Sequence, residues 1–327
     1  MKPFAFIFPG QGSQSVGMLD GWNGHPQVLA VTDEVSGALG MDIAKLIHDG
    51  PREDLALTTN TQPAMLTVAV AAYRVWQAEV GVVPRVVAGH SLGEYSALVA
   101  SGALTLSDAA PLVRFRAQAM QDAVPLGTGA MAAILGLDAT TVIAVCADVT
   151  ASFGSQSTEV VEAVNFNDPS QTVIAGSCAA VTQACAALRS SGAKRTLALP
   201  VSAPFHSRLM RPAAQRLHER LAATPIATPR IAVINNVDVA VETDSDKIRD
   251  ALMRQACGPV RWVECVRAIR SCGVTTTVEC GPGKVLTGLM RRIAPDMQAL
   301  ALLDRASLSD IRAFLSDPDG DDTTKSC

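Results

Sequence analysis

An α/β fold with a largely parallel sheet is what this sequence predicts, and three observations carry the prediction. Apolar runs of strand length alternate along the chain with apolar stripes at helical spacing. A central stretch reads β-α-β-β-α-β. One apolar run ends in a glycine-flanked serine from which a helical pattern continues.

Taken in order, "FAFIF" at 4–8 is a buried strand that Pro9 and Gly10 stop. A helical stripe spans Pro63–Glu79, the strand "RVVAG" occupies 85–89, and "LGEYSALVASG" continues it as a helix. A second stripe covers Leu106–Val124, with Ser107 and Asp108 as its expected start. Strand runs then recur as "AMAAIL" at 130–135, "TVIAG" at 172–176 and "RTLALPV" at 195–201, with a helix over Ala179–Ser190 that Gly192 follows. In β-α-β-β-α-β order this is a ferredoxin-like segment, expected as a small domain over 129–200. It interrupts a large domain made of 1–128 and 201–315. That domain continues with helices over Met210–Ala223 and Asp246–Cys257, the latter starting at Asp246, and with strands "RIAVIN" at 230–235 and "TTVEC" at 276–280. Residues 316–327, acidic and polar, are expected to be a disordered tail.

The 327 residues are 48% hydrophobic and 18% charged, a composition able to bury a substantial core. A formal net charge of -4 provides no general field for nucleic acid or an anionic membrane, so neither is an expected partner. Apolar stretches such as Met65–Tyr73 fall well short of the roughly 20 residues that cross a bilayer. The N-terminus lacks a secretory signal, and a cytoplasmic monomer is the expectation. The eight cysteines show no C-x-x-C pair and no zinc-like His spacing, so they read as reduced thiols, mostly core filler, with no metal site.

"GHSLG" at 89–93 fits G-x-S-x-G around Ser91. A strand that turns abruptly into a helix pushes such a serine outward, and bulk at either glycine would obstruct the turn. A serine hydroxyl needs a base, usually His. Of the five histidines, His90 neighbours Ser91 but should point to the other face, while His25, His48 and His218 lie in polar or charged surroundings. His206, in "VSAPFHSRLM", follows a strand and a proline where sheet-end loops carry catalytic groups. No aspartate between Ser91 and His206 stands out as the third member, and a backbone carbonyl could orient the imidazole instead. "GQGSQSVG" lacks the lysine of a phosphate-binding loop, and "GPGKV" lacks its spacing.

Three motifs together resemble the malonyl-CoA:acyl carrier protein transacylase family of fatty-acid synthesis: "FPGQGSQ" at 8–14, "GHSLGEYSA" at 89–97 and "PVSAPFHSRLMRPAA" at 200–214. "VNFNDPSQTVIAG" and "VECGPGKVLTGL" extend the likeness across about residues 4–293. The resemblance implies a large α/β-hydrolase-like domain with a small ferredoxin-like one, malonyl-CoA and acyl carrier protein as substrate and partner, and no cofactor. It makes Ser91 the nucleophile, His206 its base, and the backbone carbonyl of Gln255 the group that orients the imidazole. It places the oxyanion-hole N–H donors at Gln11 and Leu92.

It also assigns Arg116, in "LVRFRAQAMQ", to the acyl carboxylate, a task for a planar bidentate cation. Met120, four residues on, would line the same pocket, and Phe205 would crowd an α-methyl branch. Gln62 is a further pocket candidate with helix capping as its competing role, and Asn165 and Asn167 are either loop hydrogen-bonders or contacts to the thioester arm. Lys194, Arg195, Arg208, Arg211 and Arg216 are candidates for docking an acidic carrier, against solvated helix faces as the plain alternative. A serine hydrolase, a scaffold without turnover, and an acyltransferase of a malonate decarboxylase or polyketide synthase are the rival functions.

Overall fold

The computed structural model describes residues 1–201 and 203–317. Strand β1 (Phe4–Phe8) leads to helices α1 (Pro26–Leu39), α2 (Ile43–Asp49), α3 (Arg52–Ala56) and α4 (Thr58–Glu79). Next come β2 (Val86–Gly89), α5 (Gly93–Ala100), α6 (Leu106–Asp122), β3 (Gly129–Leu135), α7 (Ala139–Ser152), β4 (Val161–Asp168) and β5 (Gln171–Ser177). The chain continues through α8 (Cys178–Ser190), β6 (Arg195–Ala198), α9 (Arg211–Ala222), β7 (Ala232–Ile234), α10 (Ser245–Ala256) and α11 (Trp262–Ser271). It ends with β8 (Thr276–Cys280), α12 (Val285–Ile293), β9 (Gln298–Leu302) and α13 (Arg305–Ser316).

The strands form two separate sheets. Five parallel strands run in the order β7-β2-β1-β8-β9, and four antiparallel strands in the order β4-β5-β3-β6. All five residues of β1 are buried, as a central parallel strand requires. Its period of two divides them between faces. Phe4, Phe6 and Phe8 meet Tyr73 and Trp76 of α4, whereas Ala5 and Ile7 join the cluster of Trp262, Cys265 and Val266 from α11. Two hydrophobic layers therefore fix β1 and its neighbour β2, and the loops at their C-terminal ends start from a rigid base. No helix among the described residues is long and apolar enough to cross a membrane.

Several expected boundaries shift. Two strands, β4 and β9, fall outside the apolar runs: Glu162, Asn165, Asn167 and Asp168 break up the first, and Gln298 begins the second at the sheet edge. β6 stops at Ala198, ahead of Pro200. The cap of α6 is Thr105, whose hydroxyl accepts from Asp108 N–H, and that of α10 is Asp244. Seven cysteines among the described residues are free thiols; Cys146, Cys265 and Cys280 are buried, and Cys185, Cys257 and Cys272 are half-buried against the hydrophobic clusters, as core filling requires. Most of the expected tail, from residue 318 on, lies outside the described residues.

Candidate active site

The loops that follow β1 and β2 meet at the C-terminal edge of the parallel sheet, where connections diverge to either side and ligands commonly bind. Ser91 is the middle residue of the short turn between β2 and α5, with φ 53°, in the left-handed region. The two flanking glycines are a steric necessity. A Cβ on Gly89 would stand 1.9 Å from the Gly93 carbonyl carbon, and one on Gly93 would stand 2.0 Å from the Phe8 carbonyl oxygen. Asn236, just after β7, clamps the turn: its Nδ2 donates to the Gly89 carbonyl at 2.7 Å and its Oδ1 accepts the Ser91 N–H at 2.7 Å.

His206 follows Pro204 and also sits at positive φ, 66°. Its Nδ1 lies 2.8 Å from the carbonyl oxygen of Gln255. A carbonyl only accepts, so Nδ1 carries the proton and Nε2 of the neutral ring is left bare. That nitrogen is 2.7 Å from Ser91 Oγ. Gln255 is the penultimate residue of α10, so its carbonyl is one of the last four that a helix leaves without an internal partner. The negative end of the helix dipole thereby faces the imidazole and favours the imidazolium that proton transfer creates. In the resting site, burial and the neighbouring Arg116 push His206 down to about 3, so the ring is neutral throughout the physiological range.

Arg116 reaches in from α6 and is 2% exposed. Its Nη1 donates to Gln62 Oε1 at 2.9 Å, and its Nη2 donates to Gln255 Oε1 at 3.0 Å and to Ser91 Oγ at 3.2 Å. The face of Tyr95 lies 5.5 Å from the guanidinium carbon. A cavity of about 110 Å³ opens here, lined by Gln11, Leu92, Met120, Phe205, Gln62 and Asn165 together with Ser91, Arg116 and His206. Among the described residues, the backbone N–H groups of Gln11 and Leu92 have no acceptor. A second cavity of about 490 Å³ shares Gln11 and Val201 with the first and is lined by Thr58 and Thr59 of α4 and by Gln118 and Gln121 of α6.

All nine site residues expected from the sequence are thus in one place, with Gln62 inside α4 and bonded to Arg116 instead of capping it. Asn167 is turned to His90, whose Nε2 it meets at 2.8 Å, which removes His90 as a base for Ser91. His25, His48 and His218 are elsewhere: His25 caps α1, His48 pairs with Asp20, and His218 is exposed on α9. Of the basic residues near the His206 loop, Arg208 pairs with Glu162 and Arg216 with Asp122, whereas Lys194, Arg195 and Arg211 are exposed.

Sequence reasoning missed three polar groups: the Asn236 side chain, the Gln255 side chain and Glu94. Gln255 Nε2 donates to the Ser91 carbonyl at 2.9 Å and to Glu94 Oε2 at 3.0 Å. One signal was available, since Glu94 is the only charged residue in the otherwise apolar "GEYSALVA" helix.

A neutral histidine on a serine, unbonded backbone amides beside it and a buried cation in the same small cavity define a serine acyl-transfer enzyme. Residues 5–305 match the family described as "Acyl transferase domain". A malonyl CoA-acyl carrier protein transacylase of Haemophilus influenzae is 50% identical over 317 residues, spanning 96% of this chain and all of that one. Its namesake in Escherichia coli K12 is 50% identical over 310 residues, with 94% and 98% covered. Among solved structures, an acyl-carrier-protein S-malonyltransferase of Burkholderia pseudomallei superposes with a TM-score of 0.92 at 59% identity, covering 96% of this chain and 100% of that one. A malonyl-transacylase in complex with the holo acyl-carrier protein of a type II polyketide synthase superposes with a TM-score of 0.92 at 46% identity, with the same coverage. The chain belongs to the malonyl-CoA:acyl carrier protein transacylase family.

Proposed function

We propose that this protein transfers malonyl from malonyl-CoA to the phosphopantetheine thiol of an acyl carrier protein, supplying fatty-acid elongation. The observation that carries the reading is Ser91 Oγ held between His206 Nε2 at 2.7 Å and Arg116 Nη2 at 3.2 Å, a nucleophile within one bond of both its base and a carboxylate receptor. The malonyl carboxylate displaces Ser91 and Gln255 from Arg116 and takes the guanidinium fork. His206 accepts the Ser91 proton as Oγ attacks the thioester carbonyl. The N–H groups of Gln11 and Leu92, with the N-terminal end of α5 behind them, hold the oxyanion. Its collapse expels the thiolate, which takes the proton from His206 and leaves malonyl-Ser91. The carrier thiol enters along the second cavity, gives its proton to His206 and reverses the sequence. Each step uses a group of the chain or of the two thiols, so the reading requires no metal or redox cofactor.

The finer architecture belongs to this reading. The strand order β4-β5-β3-β6 with helices α7 and α8 supports a ferredoxin-like domain over 129–200, set into an α/β-hydrolase-like domain of residues 1–128 and 201–315. Lys194, Arg195 and Arg211 supply exposed positive charge for an acidic carrier. A cytoplasmic monomer is the form in which we expect it to act. The complex of a 46% identical relative with a polyketide carrier favours a second reading, in which the carrier belongs to a polyketide synthase.

Intact mass after mixing with malonyl-CoA tests the proposal. A malonyl adduct on the wild type, absent from Ser91→Ala and discharged by holo carrier protein, is the expected result. Free CoA release with neither adduct nor carrier dependence would make it a hydrolase.

A further inference from the structure

Glu94 lies in the first turn of α5, is 2% exposed, and forms no ion pair among the described residues. Its Oε2 accepts from Asn236 N–H at 2.9 Å and from Gln255 Nε2 at 3.0 Å, both neutral donors. Arg116 is the converse: a buried cation whose bonds go to Gln62, Gln255 and Ser91, all neutral. The Gln255 carboxamide touches both, accepting from Arg116 through Oε1 and donating to Glu94 through Nε2. A buried anion and a buried cation are therefore joined across one polarised amide. An uncompensated charge in such a site is costly, so each stabilises the other as long as the site is empty.

Building on the malonyl-transfer reading, we propose that Glu94 is a positioning residue, the counter-ion of Arg116 through Gln255 in the empty site, and that it takes up a proton when the malonyl carboxylate occupies Arg116. With both carboxylates ionised the loaded site would hold two negative charges against one positive, and protonating Glu94 restores the balance. Burial already pushes the Glu94 carboxyl up to about 7, opposed by bonds from Gln255 and Asn236 and by the Arg116 charge. The other groups facing it oppose its ionisation or are neutral: Asp238 from the loop after β7, itself held by Arg254; Cys265 of α11; Tyr95; and Glu242 across a small cavity. Coupling between two sites is reciprocal, so the proton that malonyl draws onto Glu94 must in turn favour malonyl. Loading then weakens as pH rises through the Glu94 titration.

The chemistry leaves this signal clear. The serine proton passes through His206 to the departing thiol, and at pH 7 a thiol with pKa of about 8.5 retains it, so transfer alone consumes no proton. Wild-type protein mixed with malonyl-CoA at pH 7 in weak buffer with an indicator dye should take up a measurable fraction of a proton per malonyl adduct counted by mass, since burial holds the Glu94 carboxyl well above the usual carboxylate range. Acetyl-CoA, which lacks the carboxylate, should give none. Glu94→Gln can keep both accepted bonds through its amide oxygen; it should load malonyl without uptake. Its KM for malonyl-CoA should stay flat over a range in which the wild-type value rises about 5-fold or more. A merely structural role would move neither readout. Adduct formation without uptake in the wild type, equal uptake in Glu94→Gln, or equal uptake with acetyl-CoA overturns the role of Glu94 alone. Absence of a malonyl adduct on the wild type overturns the transfer reading and this role together. Should Glu94→Gln fail to fold, the wild-type comparison of malonyl with acetyl decides.

Discussion

Replacing Arg116 with alanine should convert the protein from a malonyl-selective to an unselective acyl carrier. The guanidinium is 2% exposed and stands 3.2 Å from Ser91 Oγ, so a malonyl group on that oxygen brings its carboxylate into a water-poor cavity with Arg116 as its partner. Removing one member of a buried charge pair typically costs about 3–5 kcal/mol, because the other is left uncompensated. At about 1.4 kcal/mol per decade, kcat/KM for malonyl loading should fall by a hundredfold to a few thousandfold. The substitution also strips Gln62 Oε1 and Gln255 Oε1 of their donor, which loosens the site for any substrate. Acetyl-CoA measures that general loss, because an acetyl group asks nothing of Arg116. Single-turnover loading of Ser91 from each thioester, followed by mass, gives the ratio directly. A malonyl-to-acetyl ratio within about threefold of wild type would refute the assignment, whatever happened to the absolute rates. Arg116→Lys, with the charge but not the fork, should fall between the two.

Phe205 lines the acyl cavity and is 9% exposed, so Phe205→Ala should raise methylmalonyl loading relative to malonyl by about tenfold, the scale on which a pocket senses one methyl group. Competition between the two thioesters for Ser91 is the measurement, and an unchanged ratio removes Phe205 from selectivity. Gly93→Ala should lower Tm by at least about 5 °C, because its Cβ would stand 2.0 Å from the Phe8 carbonyl oxygen and two backbone segments must part to admit it. Gly37→Ala is its control: Gly37 lies inside α1 with nothing within 4 Å of an added Cβ, so thermal melting should show a gain of about 1 kcal/mol.

Much of this was legible from the sequence because it rests on patterns of apolar residues and glycine. β1, β2 and β8 are apolar runs with abrupt ends, and the two glycines around Ser91 leave a steric signature. His206 was separable from the other histidines because a strand and a proline lead into it. What stayed hidden has a common physical origin. A backbone donor or acceptor has no side-chain identity, so the roles of Gln11, Leu92 and the Gln255 carbonyl came from family resemblance alone. β4 was obscured because it spends on Asn165, which lines the cavity, and on Asn167, which bonds His90, positions that an ordinary strand would give to apolar residues. Asn236 and Glu94 act at sequence separations of 145 and 161 residues, through contacts that exist only once α5, α10 and the loop after β7 have packed together.

The absence of an aspartate behind His206 then has a physical reason. Gln255 presents its backbone carbonyl to the imidazole and its side-chain oxygen to Arg116, at 2.8 and 3.0 Å, so the two neighbourhoods are one residue wide. A carboxylate in that place would pair directly with Arg116 and compete with the acyl carboxylate that we propose the guanidinium holds. A helix-terminal carbonyl supplies a fixed partial charge instead, enough to set the tautomer and favour the imidazolium but too weak to neutralise an arginine. The full negative charge is set back by one amide, on Glu94, where it can steady Arg116 in the empty site and be cancelled by a proton when substrate arrives. Selectivity for an anionic acyl group and the carbonyl-oriented histidine are in this view one solution: a site that must leave its cation free cannot place an aspartate beside it.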